Sequence, residues 1–244
     1  MPNSNAEKTD FSQRPVRIEH DGPQGVGLSE WEEMDPATLA SGTPLQRGHL
    51  YDEVPEIGYL AGVWDCTAFD DKPGPYSVDE YMFLLEGKVI MGLPDGTEIT
   101  EKAGEAFVLP QGLQCQWKMP GYVRKIFMIA ENKGSGSAKN PSLHRVTKPS
   151  LTQPESNDEV WSERISFCNA DGKMRVAQVH YATAFTGKQH MNCVRLITVL
   201  EGSVNIAGGA FKVGDSFYCH PELEAEWTIA AGTSWIEARY LRDG

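Results

Sequence analysis

The sequence predicts an all-β protein composed of two antiparallel barrels that arose by internal duplication. From Gly48 onward, short runs rich in Val, Ile, Tyr, Phe and Trp alternate with Gly, Pro and Asp, which is typical of antiparallel barrels and sandwiches. Helical periodicity is nearly absent, so helix should be a minor component. The two halves of the chain also resemble each other, segment by segment.

Three pairs of segments carry the internal repeat. The segment HLYDEVPEIGYLAGVWDCTAF aligns with RISFCNADGKMRVAQVHYATAF and places Trp64 opposite His180. Next, LLEGKVIMG aligns with VLEGSVNIAG, and then AGEAFVLPQGLQCQW aligns with VGDSFYCHPELEAEW, with Trp117 opposite Trp227. The order is kept and the spacing changes little, apart from a longer hairpin with the turn dipeptide Asp-Gly in the first copy. These features indicate a duplication rather than chance similarity.

Four segments follow from this repeat. Residues 1–39 are predicted to be an N-terminal arm, whose first part, residues 1 to about 28, is polar and lacks a hydrophobic period, so that it should be flexible or form a strand that docks late. Residues 40–131 should form an N-terminal barrel and residues 160–244 a C-terminal barrel. Residues 132–159 have the composition of a linker.

Composition narrows the classes of partner. The net charge is −12 and basic runs are absent, which argues against binding to nucleic acid. The N-terminus lacks the features of a secretion signal, and no apolar run of about 18 residues suggests a membrane span. The cysteines number five and lack CxxC spacing, so they are expected to be reduced thiols. We expect a soluble cytoplasmic protein with no nucleic-acid or membrane partner.

Two spacings in the first copy resemble the motifs of the cupin superfamily. Glu80 is followed by six residues and Gly87, and Gly104 is followed by five residues, Pro110, one residue and Gly112. The sequence resembles most the (S)-ureidoglycine aminohydrolase-type cupins. This resemblance implies two RmlC-like jelly-roll (cupin) barrels, a small-molecule ligand, and pairing of barrels that leaves a homodimer open. It is specific for the fold and not for the reaction.

The first copy departs from the metal-binding pattern of the cupins. In metal-binding members, an HxH pair, a Glu and a later His converge on one ion. Here Pro75 and Ser77 or their neighbours stand at the HxH positions, Cys115 stands at the late His position, and only Glu80 remains. The sequence therefore predicts no metal cofactor. The alternative is a divalent transition metal at low occupancy in the N-terminal barrel.

The second copy departs from the pattern in a different way. His190 lies near the HxH position, but Arg195 stands at the position of Glu80 and Ala225 at that of Cys115. A guanidinium group only donates hydrogen bonds and keeps its positive charge, so it would repel a metal ion. It can bind a carboxylate through two hydrogen bonds. The sequence thus predicts no metal here, and Arg195 should face any pocket in this barrel.

Strand parity selects the candidate site residues, because alternate residues of a strand share a face. We predict that Glu80 is the catalytic acid or base, in a barrel with an otherwise apolar interior. The predicted ligand-binding residues are Trp64, Tyr76, Cys115, Trp117, His180, His190, Arg195, His220 and Trp227. The alternative roles are core packing for the tryptophans, an inert thiol for the cysteine, and structural pairing for the glutamate and the histidines.

These observations predict a bicupin that binds a small polar or carboxylated metabolite and has a degenerate metal site. An enzyme of the hydrolase, isomerase or lyase type is one form of this hypothesis. The alternative is a non-catalytic bicupin that senses a ligand or serves a structural role.

Overall fold

The computed structural model describes residues 14–131, 140–146, 160–189 and 192–241. Within them, the prediction of an all-β protein is confirmed: the regular structure is antiparallel strand, and the helices are two single 3₁₀ turns, Pro23–Gly25 and Pro55–Ile57. Neither turn has the length or the apolar character that crossing a bilayer requires.

The first half of the chain contains thirteen strands in its described part. In chain order they are β1 (Val16–Ile18), β2 (Glu32–Glu33), β3 (Leu39–Ser41), β4 (Leu45–Val54), β5 (Tyr59–Cys66), β6 (Phe69–Asp71), β7 (Gly74–Pro75), β8 (Asp79–Glu86), β9 (Lys88–Gly92), β10 (Glu98–Lys102), β11 (Ala106–Leu109), β12 (Gln114–Met119) and β13 (Val123–Ala130).

The remaining strands belong to the second half. They are β14 (His144–Val146), β15 (Trp161–Cys168), β16 (Met174–Tyr181), β17 (Phe185–Gln189), β18 (Cys193–Glu201), β19 (Ser203–Ile206), β20 (Gly209–Lys212), β21 (Ser216–Cys219), β22 (Ala225–Ile229) and β23 (Thr233–Leu241).

Each half folds into a larger and a smaller antiparallel sheet that enclose an apolar interior. In the N-terminal barrel the larger sheet has the order β14-β11-β8-β13-β5-β4-β2, and the smaller has β10-β9-β12-β6-β3 with β7 also paired to β12. In the C-terminal barrel the orders are β1-β21-β18-β23-β16-β15 and β17-β22-β19-β20. The central strands β8, β13, β5 and β11 therefore correspond to β18, β23, β16 and β21.

Two short strands cross between the halves. Strand β1 lies before the N-terminal barrel in the chain but pairs with β21 of the C-terminal barrel. Strand β14 lies before the C-terminal barrel but pairs with β11 of the N-terminal barrel. Strand β1 lies in the segment predicted as the arm, for which a late-docking strand was one of two alternatives, whereas β14 lies in the segment predicted as the linker, where no strand was predicted. Each half therefore contributes one edge strand to the sheet of the other.

Three apolar clusters follow from the alternation of faces along the strands. One fills the N-terminal barrel, one fills the C-terminal barrel, and the third lies between the outer faces of the two larger sheets. Tyr59 and Tyr240 meet in this third cluster, with ring centroids 4.8 Å apart. The central strands are buried on both faces, which explains their nearly continuous apolar runs.

Gly87 and Gly202 occupy equivalent turns in the two copies. Both have a positive φ, 78° and 71° respectively, which favours glycine. A Cβ atom at Gly87 would lie 2.1 Å from the carbonyl oxygen of Tyr122, and one at Gly202 would lie 2.2 Å from the hydroxyl of Thr233. These glycines are required by the backbone and by close packing, so they carry no chemical role.

Candidate functional site

The interior of the N-terminal barrel is built from alternate residues of β8, β12 and β13. Met82 and Leu84 of β8 belong to one buried cluster with Cys115, Trp117 and Met119 of β12. Strand parity therefore placed these residues on the correct face. Position 80 lies on the same face of β8, and its side chain is also buried.

Lys125 also points into this interior, and the sequence analysis missed it. It lies on β13 between Val123 and Phe127, which belong to the buried cluster, and it is only 7% exposed. Its Nζ donates to Oε1 of Glu80 at 2.7 Å and approaches Sδ of Met82 at 3.3 Å. The signal available in the sequence was the pair of adjacent charges Arg124 and Lys125 in an otherwise apolar strand, since neighbouring residues of a strand face opposite sides and one of the two must point inward.

Tyr76 completes the polar contacts of Glu80. Its hydroxyl donates to Oε2 of Glu80, while Lys125 binds the other carboxylate oxygen. Burial, followed by the negative charge of Glu80, raises the pKa of Tyr76 well above its usual range. Tyr76 therefore remains a hydrogen-bond donor, and both oxygens of Glu80 are held by protein groups.

Aromatic rings surround the ammonium group of Lys125. Nζ lies 4.8 Å from the ring centroid of Trp64, 4.9 Å from that of Trp117 and 5.9 Å from that of Phe127. The face of an aromatic ring attracts a cation at such distances. Trp64 uses its own N–H to donate to the side chain of Gln46 at 2.9 Å. The N–H of Trp117 is buried and finds no acceptor among the described residues.

Asp71, at the end of β6, was not among the predicted site residues. Its Oδ1 is buried and has no hydrogen-bond partner in the described part of the chain. Burial, followed by the neighbouring charge of Asp70, raises the pKa of Asp71 to about 6, although Lys125 opposes the shift. Burial raises the pKa of Cys115 to about 11. Asp71 can thus exchange a proton near neutral pH, whereas Cys115 remains a neutral thiol.

Asp71→Asn should change how stability depends on pH. Because the folded-state pKa of Asp71 is raised, its favourable contribution is complete below the unfolded value of about 4 and is lost as the pH rises through about 6. The variant should therefore gain stability relative to the wild type above pH 6, and lose that gain below pH 4, in melting curves recorded across this range. Asp70→Asn should move the wild-type transition to lower pH. Parallel profiles for Asp71→Asn and the wild type would contradict this assignment.

The C-terminal barrel encloses a different ion-pair network. Nη2 of Arg195 binds Oε2 of Glu237 at 2.5 Å, and the indole of Trp235 donates to the same oxygen at 2.9 Å. Arg239 binds the other oxygen of Glu237, and also binds Glu163 at 2.7 Å. Arg195 was predicted to offer its guanidinium group to a ligand carboxylate. Arg195 does face the barrel interior, but there its guanidinium group is paired with the carboxylate of Glu237 and not with that of a ligand.

Two donors in this barrel remain without acceptors among the described residues. They are Nε of Arg195 and the indole N–H of Trp227. The guanidinium carbon of Arg195 lies 4.8 Å from the ring centroid of Trp227. Burial opposes ionisation of Glu237, but Arg195 and Arg239 outweigh it and hold the pKa of Glu237 below its usual range.

His180 lies on the face of β16 that points away from the barrel interior. The sequence alignment of the two copies placed it opposite Trp64 because the alignment is displaced by one residue at this strand. In the N-terminal barrel Trp64 pairs with Lys125, and the equivalent pair in the C-terminal barrel is Val179 with Trp235. Trp64 therefore corresponds to Val179 and not to His180 as the sequence alignment placed it. A slip of one residue moves a side chain to the opposite face of a sheet. The prediction that His180 points inward is therefore wrong.

Of the other two predicted histidines, the structure describes only His220. His220 lies in the turn after β21, half-buried, and its Nδ1 accepts from the backbone N–H of Glu222 at 3.3 Å. His190 lies outside the described residues. The structure therefore brings together Trp64, Tyr76, Glu80, Cys115 and Trp117 in the N-terminal barrel, and Arg195 and Trp227 in the C-terminal barrel.

The donor set of the N-terminal barrel does not fit a metal ion. In residues 14–131, 140–146, 160–189 and 192–241, no three side chains of the His, Cys, Asp or Glu type are grouped so that they could hold one. Moreover, the two oxygens of Glu80 are taken by an ammonium and a phenol.

Comparison with known proteins gives the same fold. Residues 59–127 match the model of the EutQ-like cupin domain. A protein of unknown function from Pseudomonas syringae is 17% identical, with a TM-score of 0.67 over 93% of this chain and 99% of that one. A cupin 2 conserved barrel domain protein from Leptotrichia buccalis is 10% identical, with a TM-score of 0.56 over 81% of this chain and 89% of that one.

A bacterial pirin from Escherichia coli, solved in complex with nickel(II), is 12% identical, with a TM-score of 0.52 over 94% of this chain and all of that one. The comparison with curated proteins found no match. These likenesses establish the cupin fold and confirm the cupin resemblance. The narrower resemblance to the ureidoglycine aminohydrolase type stays a prediction.

Proposed function

Because this chain is a cupin-fold protein with a polar cluster inside its first barrel, we propose that the N-terminal barrel binds a small polar metabolite bearing a carboxylate or carbonyl oxygen. The indole N–H of Trp117 carries the proposal. It is a donor on a side chain only 6% exposed, and it has no acceptor among the described residues. Leaving such a donor unpaired costs about 1–3 kcal/mol, so an acceptor from a ligand or a water molecule is expected there.

The groups around Trp117 complement such a ligand. The ammonium of Lys125 lies over the same indole ring and has three N–H donors, of which the contacts to Glu80 and Met82 use two. Asp71 offers an unpaired oxygen to a donor of the ligand. The half-buried rings of Trp64 and Tyr76 adjoin this cluster and supply apolar walls. A mostly apolar interior with a few convergent polar groups is the usual form of a small-ligand site.

A second candidate function is proton-transfer catalysis at this site. The raised pKa of Asp71, about 6, supports it, since a general acid or base works best near the ambient pH. Glu80 was predicted for this role, but both of its oxygens are engaged by Lys125 and Tyr76. We therefore assign proton transfer to Asp71 and the positioning of Lys125 to Glu80. A hydrolase, an isomerase or a lyase could each use this step.

The test of binding is a thermal-shift screen of small carboxylates and amides, followed by calorimetry of any compound that stabilises the protein. Trp117→Phe removes the N–H donor and keeps an aromatic ring, although a smaller one, so it should weaken binding at least about tenfold, which corresponds to the loss of about one hydrogen bond. Trp31→Phe is the matched control, because Trp31 is 42% exposed and lies outside the barrel interior.

Equal affinity of wild type and Trp117→Phe would contradict the proposal, as would the same loss in Trp31→Phe. A screen in which no carboxylate or amide stabilises the wild type would favour the structural alternative. A ligand that the wild type binds but does not convert would favour the sensing alternative, whereas conversion by the wild type that is lost in Asp71→Asn would support catalysis.

A further inference from the structure

Each barrel encloses a cation of the protein itself, held beside an indole ring and paired with a carboxylate. In the N-terminal barrel the cation is Lys125, beside Trp117, paired with Glu80. In the C-terminal barrel Arg195 lies beside Trp227 and pairs with Glu237. The two tryptophans are equivalent in the duplication, and each has a buried N–H that finds no acceptor in the part of the chain that the structure describes.

The two copies place opposite charges on equivalent strands. In the first, the acid lies on β8 and the cation on β13; in the second, the cation Arg195 lies on β18 and the acid Glu237 on β23. Arg195 stands at the position of Glu80, whereas Glu237 corresponds to Phe127, one inward position from Lys125. The barrels thus share a buried charge pair, although its residues and polarity differ.

The fold family implies a metal ion beside the carboxylate at position 80, and the side chains do not fit one. Instead, the ammonium of Lys125 lies 2.7 Å from that carboxylate, with side-chain exposures of 9% for Lys125 and 5% for Glu80. We infer that Lys125 is the resident cation of the N-terminal barrel: its ammonium takes the place beside Glu80 that a metal ion would take. The cation would then present an N–H donor to the ligand's oxygen.

This inference rests on the proposed function only where it concerns the ligand. An ammonium supplies a positive charge and hydrogen-bond donors, so it can bind and polarise a carboxylate or carbonyl oxygen. The cation site itself can be tested without any metabolite. A failure of the proposed ligand and a failure of the cation site would therefore be seen in different experiments.

The test is replacement of the cation from solution. Lys125→Ala removes the ammonium and three methylene groups, which n-propylammonium matches in size and charge. We expect n-propylammonium chloride to raise the melting temperature of this variant by about 2–4 °C over sodium chloride at equal ionic strength. The wild type should not respond, and neither should Lys118→Ala, whose ion pair with Glu98 has the same 2.7 Å distance on the surface.

The double variant Lys125→Ala with Glu80→Gln should lose the response, because the amide carries no charge to pair with the amine. The inference fails if n-propylammonium gives no rise in Lys125→Ala, or an equal rise in Lys118→Ala. It fails also if the double variant responds as strongly as the single one.

A second measurement covers the case in which Lys125→Ala does not fold. Wild-type protein is dialysed against nickel(II), zinc(II) or manganese(II), and the metal bound per chain is measured. We expect the same uptake by wild type and by Glu80→Gln, because Lys125 already occupies that carboxylate. Stoichiometric metal in the wild type that is lost in Glu80→Gln would overturn the inference.

Discussion

Lys125→Met should lower the free energy of unfolding by about 3–5 kcal/mol. Methionine fills a similar volume, but it leaves Glu80, which is 4% exposed, without its counter-ion in an apolar interior. Removing one partner of a buried ion pair is strongly destabilising because the other charge stays desolvated. Urea unfolding curves measure the loss, and the m-value should be unchanged if only the native state is affected.

The matched double variant separates charge from packing. Adding Glu80→Gln to Lys125→Met removes the unpaired charge and should restore most of the lost stability. Lys118→Met, at a pair whose side chains are 29% and 54% exposed, should cost at most about 1 kcal/mol. A loss at Lys125 no larger than that at Lys118 would mean that the interior pair is solvated.

Glu237→Gln should have a comparably large effect in the C-terminal barrel, about 3–5 kcal/mol. The fully buried carboxylate of Glu237 neutralises Arg195 and also binds Arg239. An amide keeps the shape but leaves the positive charge of Arg195, which is 4% exposed, without compensation. Guanidinium groups do not deprotonate at accessible pH, so the variant cannot relieve the cost by titration.

The acid limb of the stability profile provides a second readout. The folded-state pKa of Glu237 is depressed, so its contribution is present above the unfolded value of about 4.3 and is lost as the pH falls through the lower folded value. Glu237→Gln should lack this part of the acid dependence, whereas Glu226→Gln, on the exposed face of β22, should keep it. A similar loss in both variants would contradict the role given to the buried network.

The sequence was sufficient to predict which residues of the regular strands point inward. It did not show which residues pair with the charged side chains of those strands. Parity along β12 was sufficient for Cys115 and Trp117, because a strand has a period of two. Lys125 and Glu237 were missed because each shares a largely apolar strand with a second charged residue, Arg124 or Arg239, and the sequence does not show which of these charges point inward. Only pairing with β8 and β18 shows that Lys125 and Glu237 point inward.

Alignment of the copies failed where a shift of one residue changed the face. His180 was matched to Trp64, yet the ladder pairs Val179 with Trp235 in the equivalent place. The shared Thr-Ala-Phe ending, residues 67–69 and 183–185, fits the offset of 116 that places His180 opposite Trp64, whereas the following Leu-Glu-Gly segments fit an offset of 115, so the sequence did not show where the shift of one residue occurs. The hydrogen-bonded register shows that Val179 is the residue equivalent to Trp64.

Strands β1 and β14 were difficult to predict from the sequence, because a strand of three residues is too short to show a period. The pairing of β1 with β21 and of β14 with β11 shows that the two short strands are equivalent. Arg17 is the middle residue of β1, and Arg145 is the middle residue of β14. Arg17 binds Asp215 at 2.7 Å and Arg145 binds Glu101 at 2.5 Å, so each strand is held to the opposite barrel by an ion pair as well as by backbone hydrogen bonds.

This exchange of edge strands has consequences for how the chain evolved and for how it should respond to proteolysis. If a polypeptide carrying a single half kept this arrangement, its edge strand would pair with another barrel, and a second copy would have to supply the missing edge. The ancestor before duplication would then have been an interlocked pair, which gene fusion made covalent. For the same reason, proteolysis between Glu131 and Asn140 should release no free half, because each fragment would still carry a strand of the other's sheet.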